Sequence, residues 1–180
     1  FVISKGLTLL ELSLLNTLYM MTLSMLDPIT GVLGDRFGQK RVYMAGTFVY
    51  AIGMFAYGFG SGFIAFAFAE FASAIGSAFM SEALESGLRN QLQNTEAQKT
   101  LANAGFWGKA AVIPTAILAG IVGDVFGLNV PWIIGGVFSL INFCVTAILL
   151  EDFKADAKDV QEKGNKITVV NTWRRVSKIS

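Results

Sequence analysis

Histidine is missing from all 180 residues, and cysteine occurs once. The first absence removes imidazole as a metal ligand and takes away the commonest general base. Ser-His-Asp and Cys-His catalysis have no candidates, so an enzyme is not expected. The lone Cys144 lies in the apolar run VFSLINFCVTAILL, where it offers neither a disulfide framework nor a thiolate cluster and reads as a small buried hydrophobe. Nothing implies a cofactor or a metal. Charge is scarce as well: charged residues make up 15% and hydrophobic ones 53%, against roughly 25% charge in an ordinary soluble domain. That balance belongs to a membrane protein.

Apolar runs are what the sequence has in abundance. Five of them, at residues 7–26, 42–59, 63–86, 101–123 and 131–150, approach the roughly 20 residues a helix needs to cross the hydrocarbon core. The connections are short and rich in Gly, Asn or Pro, as in YGFGSG and GDVFGLNVP, which suits antiparallel neighbouring helices. The period-two alternation of a transmembrane barrel is absent. An all-α membrane protein is therefore expected, with a membrane part over 1–150 and a charged segment over 151–180. The opening FVISKGLTLLELSLL carries Glu11 within its hydrophobic stretch and lacks an initiator Met, so it is not read as a signal peptide but as the interior of a longer chain.

The bases set an orientation. Arg36, Lys40 and Arg41 follow the first span, Arg89 and Lys99 the third, and Lys154, Lys158, Lys163, Lys166, Arg174, Arg175 and Lys178 the fifth. All twelve fall on one face, and the opposite connections near Gly58–Gly62 and Asp124–Val130 hold none. The positive-inside rule then places the charged loops and the tail in the cytoplasm of a cell membrane. Residue 1 would lie outside, which predicts one further span upstream.

The stretch GVLGDRFGQKRVY, residues 31–43, is read as a cytoplasmic turn between the first two spans. In that reading Gly31 and Gly34 allow close helix contact and Gly38 a positive φ. Asp35 would precede the next helix, where the macrodipole favours a carboxylate, with Arg36, Lys40 and Arg41 at headgroup level. The stretch resembles the signature of the major facilitator superfamily, G-x-L-a-D-r-x-G-r-k-x-x-l, at Gly31, Leu33, Asp35, Arg36, Gly38 and Lys40. Gln39 departs from it by replacing a base, with Arg41 one place later. The lead-in DPIT and the segment FAEFASAIGSAFMSEALES are similar to those of drug-exporter-like members, although Glu70 stands where a better-known motif has Arg. The resemblance implies a major-facilitator-type helical bundle. The five spans would be helices two to six of twelve, with a first helix and a C-terminal half lying outside this sequence. It also implies that the motif acts in conformational switching.

Ionisable residues inside spans cost about 2.5–3.5 kcal/mol at the bilayer centre, so each requires a partner or a wet cavity. Glu82 and Lys109 reach similar depth from the charged ends of adjacent spans, and an ion pair is expected, with Glu85 as another partner. Glu11 and Glu70 lie in the outer part of the membrane, far from any base. A carboxylate partly withdrawn from water can exchange a proton near neutrality, which makes Glu70, and after it Glu11, candidates for proton coupling; snorkelling to the interface is the alternative. Asn16, Tyr19, Met20, Phe71 and Phe106, with Phe79 and Trp107, could line a cavity for flat or amphipathic molecules. Rows of small residues at Ala65, Ala69, Ser73, Ser77 and Ser81, and at Ala111, Thr115, Ala119, Gly123 and Gly127, read as packing seams. In the tail, Ile167, Val170, Trp173 and Val176 beside Arg174, Arg175 and Lys178 suit an interfacial helix on anionic lipid rather than a nucleic-acid surface. The expected function is proton-coupled export of small amphipathic organic compounds by alternating access. Uptake of a sugar or other metabolite, or a scaffold or sensor without transport, are the alternatives.

Overall fold

The computed structural model describes residues 1–91 and 94–149. The expected tail at 151–180, with its interfacial helix, lies outside the described residues. A 3₁₀ turn at Ile3–Lys5 precedes five helices: α1 (Leu9–Phe37), α2 (Gln39–Phe59), α3 (Gly62–Gln91), α4 (Asn94–Phe126) and α5 (Val130–Leu149). Each contains a stretch long and apolar enough to span a bilayer, and no strand occurs among the described residues. The all-α membrane fold is thus as expected.

Helix ends differ from the sequence reading in an instructive way. The stretch 31–43 is not an extended turn: α1 runs through Gly31, Leu33, Asp35 and Arg36 to Phe37, and α2 begins at Gln39. Gly38 alone makes the joint, at φ 92° and ψ 137°, a backbone conformation that suits glycine. Its N–H donates to the Gly34 carbonyl at 3.0 Å, so the last turn of α1 remains satisfied. Polar residues add turns beyond the apolar runs because a helix closes its own backbone bonds wherever it stands. For the same reason α4 starts at Asn94 rather than at the expected residue 101. With 33 residues it is about 50 Å long, more than the hydrocarbon core of about 30 Å.

At the other end of α1 the sequence T-L-L-E forms a capping box. Glu11 Oε2 accepts from the Thr8 N–H at 2.8 Å and from the Thr8 hydroxyl at 2.9 Å, while the Glu11 N–H donates to Thr8 Oγ1 at 3.3 Å. Glu11 is therefore held at the helix start, a role absent from the sequence reading.

Lipid tails are as apolar as leucine, so burial alone cannot gather these helices; close packing must. The tightest contact is α2 on α3, with α1 packed on α3 and α5 on α2. Gly46 and Gly76 face each other there: a Cβ on Gly76 would lie 2.6 Å from the Tyr50 backbone nitrogen and 2.7 Å from the Gly46 carbonyl oxygen. One helical period along, Gly53 admits Ser73, which is buried. The seam expected on α3 is partly realised, since Ala69 and Ser73 are buried while Ser81 is exposed. The seam expected on α4 is not: Ala111 and Thr115 are exposed, Gly123 is buried, and Gly127 falls beyond the helix end.

Polar bonds join α2 to α5. Ser139 Oγ donates to the Thr47 carbonyl at 2.8 Å, Asn142 Nδ2 to Tyr43 Oη at 3.2 Å, and Lys40 Nζ to the Ala147 carbonyl at 3.0 Å. The last bond brings the α1–α2 joint to the C-terminal end of α5, where carbonyls lack helical partners. Arg36, Lys40 and Arg41 thus share one end of the bundle with that terminus. The opposite end is aromatic.

Candidate functional site

The aromatic end is built from α1, α2, α3 and α5 together with the segment before α1. Tyr57, near the end of α2, stacks on Trp132 of α5 with ring centroids 4.4 Å apart and planes at 16°. Phe66 of α3 lies 5.5 Å from Tyr57, and Phe1 lies 5.9 Å from Phe66 and 6.1 Å from Trp132. Leu7, Leu15 and Ala69 complete this buried cluster. Toward the middle of α3 the Tyr57 hydroxyl leaves the cluster and donates to Glu70 Oε1.

Glu70 is half-buried on α3, well inside a membrane span. The helix places it four residues after Phe66, hence on the same face as the aromatic cluster. Tyr57 supplies the neutral partner that no base supplies. Tyr50, one heptad before Tyr57 on α2, lies within electrostatic reach of both Glu70 and Tyr19. The carboxylate thus meets the Tyr57 phenol directly. Phenols stabilise a carboxylate by hydrogen bonding without neutralising it, which leaves the group able to gain a proton or meet a cation. Sequence reading singled out Glu70 and Tyr19 but missed Tyr50 and Tyr57; their seven-residue spacing on one helix face was the available signal.

The other expected residues are distributed as follows. Asn16 and Met20 are exposed on α1, one turn apart, and Tyr19 is half-buried beside them. Phe71 is exposed on α3, next to Glu70 in the chain. Phe106 is exposed on α4 and meets only Trp107, edge to face at 5.6 Å, so it does not join the α1–α3 group. Lys109 is exposed on α4, a helix with little packing on α3, and takes no part in a described ion pair or hydrogen bond. The expected Glu82–Lys109 pair is therefore not formed among the described residues; Glu82 is half-buried with interactions of its own.

Around the signature motif, Leu33 is half-buried and Gly34 buried. The Gln39 side chain packs on Gly34 so closely that a Cβ there would collide with it, and it also approaches Gly87 of α3. The residue that departs from the motif's base is thus turned inward as a packing group. Arg36 and Arg41 are exposed, Arg36 with its guanidinium 5.4 Å from the Phe37 ring centre. The Asp35 side chain lies outside the described set.

Five spanning helices, a half-buried intramembrane carboxylate and a basic motif at a helix joint define a polytopic α-helical membrane protein with ionisable groups in its span. More narrowly, the chain belongs to the major facilitator superfamily, whose family profile matches residues 2–180. It is also similar to an uncharacterized MFS-type transporter of Methanocaldococcus jannaschii, at 25% identity over 150 residues. That match covers 82% of this chain and 38% of the relative's length.

Proposed function

We propose that this chain forms most of one half of a secondary active transporter that exports small amphipathic organic compounds in exchange for protons. Family membership supports transport, and the observation that supports coupling is Glu70, an intramembrane carboxylate partnered by Tyr57 rather than by a cation. In the proposed cycle Glu70 exchanges a proton when Tyr57 releases it, and a cationic or flat substrate meets the exposed faces of α1 and α3 near Asn16, Met20 and Phe71. The motif at Gly31, Leu33, Asp35, Arg36, Gly38, Lys40 and Arg41 would govern rocking of two halves about a midplane site. Under the positive-inside rule the basic end faces the cytoplasm and the aromatic end faces outward. Glu11, engaged in its capping box, takes the lesser part.

The test uses the full-length protein in everted membrane vesicles. Glu70→Gln should remove the component of substrate flux that depends on the pH gradient while leaving the protein inserted. Unchanged flux and unchanged dependence on the gradient would overturn the coupling role. A wild-type protein that moves no substrate under any gradient would overturn transport itself.

A further inference from the structure

A second feature lies at the basic end, away from Glu70. A cleft of about 310 Å³ opens between α2, α3 and α5. Its lining includes Leu84 and Leu88 of α3, Lys40 and Tyr43 of α2, and Asn142 and Val145 of α5. Among the described residues no carboxylate lines it. Lys40, the second residue of α2, lies against the end of α5 and so stands at the headgroup level of a bilayer; Leu88, Tyr43 and Val145 lie about one turn further in, and Leu84 and Asn142 about two.

The hydrogen bonds leave donors free here. Lys40 uses one N–H on the Ala147 carbonyl and retains two more. Asn142 donates to the Tyr43 oxygen, so the phenolic proton is left to be given elsewhere. Lys40 and Tyr43 are three residues apart on α2 and share a face. A fixed positive charge and an O–H donor thus lie beside the apolar Leu84, Leu88 and Val145, a combination that suits an anion with a hydrocarbon body.

We propose that this cleft binds one anionic phospholipid, its phosphate held by Lys40 and Tyr43 and an acyl chain lying against Leu84, Leu88 and Val145. The lipid would fill the seam where α5 meets α2 and α3, and so stiffen the basic end. It requires only the bilayer setting, and stands whether or not Glu70 couples protons.

Native mass spectrometry of the full-length protein in mild detergent tests it, with dioleoyl phosphatidylglycerol and dioleoyl phosphatidylcholine as probes. The wild type should retain one phosphatidylglycerol about tenfold more tightly than phosphatidylcholine, since both carry the phosphate but the choline cation is repelled by Lys40. Lys40→Gln should erase that preference, and Tyr43→Phe should weaken it. Leu84→Trp, at a position already 46% exposed, fills the groove without changing charge and should reduce retention of the lipid. Lys99→Gln, an exposed base on α4 outside the cleft, should leave retention unchanged. Equal retention of the two lipids overturns the proposal, as does a Leu84→Trp protein that binds normally. Equal losses from Lys99→Gln and Lys40→Gln would mean diffuse surface attraction, and displacement by inorganic phosphate would mean a free-anion site. A photocrosslinker at Leu84 that captures residues 150–180 instead of lipid would make the tail the occupant.

Discussion

Helices α3 and α4 are nearly equal in length, at 30 and 33 residues, and both carry small residues every fourth position. Yet within the described residues α3 is enclosed along much of its span and α4 is almost bare. The difference lies in the partner. Opposite α3 stands α2, whose Gly46 and Gly53 lie seven residues apart on one face and receive Gly76 and Ser73. Opposite Gly105, Gly108 and Gly120 of α4, nothing described comes within 4 Å of a would-be Cβ. Small residues permit close approach; only a second complementary surface turns permission into contact. The same contrast separates the ionisable groups, since Glu70 of α3 has Tyr57 and Lys109 of α4 is exposed.

The contrast can be broken by moving bulk from one helix to the other. Gly76→Leu would drive a side chain into the α2 backbone and should cost about 3 kcal/mol or more, the upper range for overpacking. Gly108→Leu should change stability by no more than about 0.5 kcal/mol. The temperature at which half of the purified protein remains monodisperse would report both, and equal losses would show that α4 is as tightly packed as α3. Activity sharpens the contrast next. Glu70→Gln should abolish flux driven by a pH gradient, whereas Lys109→Gln should retain it; equal losses in vesicle assays would give Lys109 a role that its exposure does not suggest. Tyr57→Phe keeps the Trp132 stack but removes the bond to Glu70, so thermal stability should fall by about 1 kcal/mol. The smallest effect is expected on the α2–α5 contact. Ser139→Ala deletes the bond to the Thr47 carbonyl and should cost about 0.6 kcal/mol, the average for such bonds in membrane proteins.

Span number and helical class were legible because they depend on composition over windows of about 20 residues. The Lys40 bond brings the α1–α2 joint to the end of α5, as the reading of bases at one end expects, while the bases of 154–178 lie outside the described residues. Helix partners were not. Both seams drawn from sequence obeyed the same four-residue rule, yet the α4 one is exposed and the glycines of α2 that meet Gly76 went unread. A row on one helix carries no information about which helix will face it. Tyr57 and Glu70 illustrate the same limit at the candidate site: thirteen residues apart on different helices, they meet only because α2 and α3 cross closely. The capping box at Thr8 and Glu11 is different, for its T-x-x-E spacing is local and was open to reading. The extended turn expected at 31–43 failed because charge was taken as a sign of irregular backbone.

The joint at Gly38 has a mechanical meaning. Rods of 29 and 21 residues, about 44 and 32 Å long, meet through one amino acid. Such a coupling has no slack, so α1 and α2 can change their mutual angle only by rotation about the two torsions of Gly38 or by bending a helix. An alanine there would load those torsions with a Cβ and bias the angle, so this one position acts as the covalent wrist between α1 and α2.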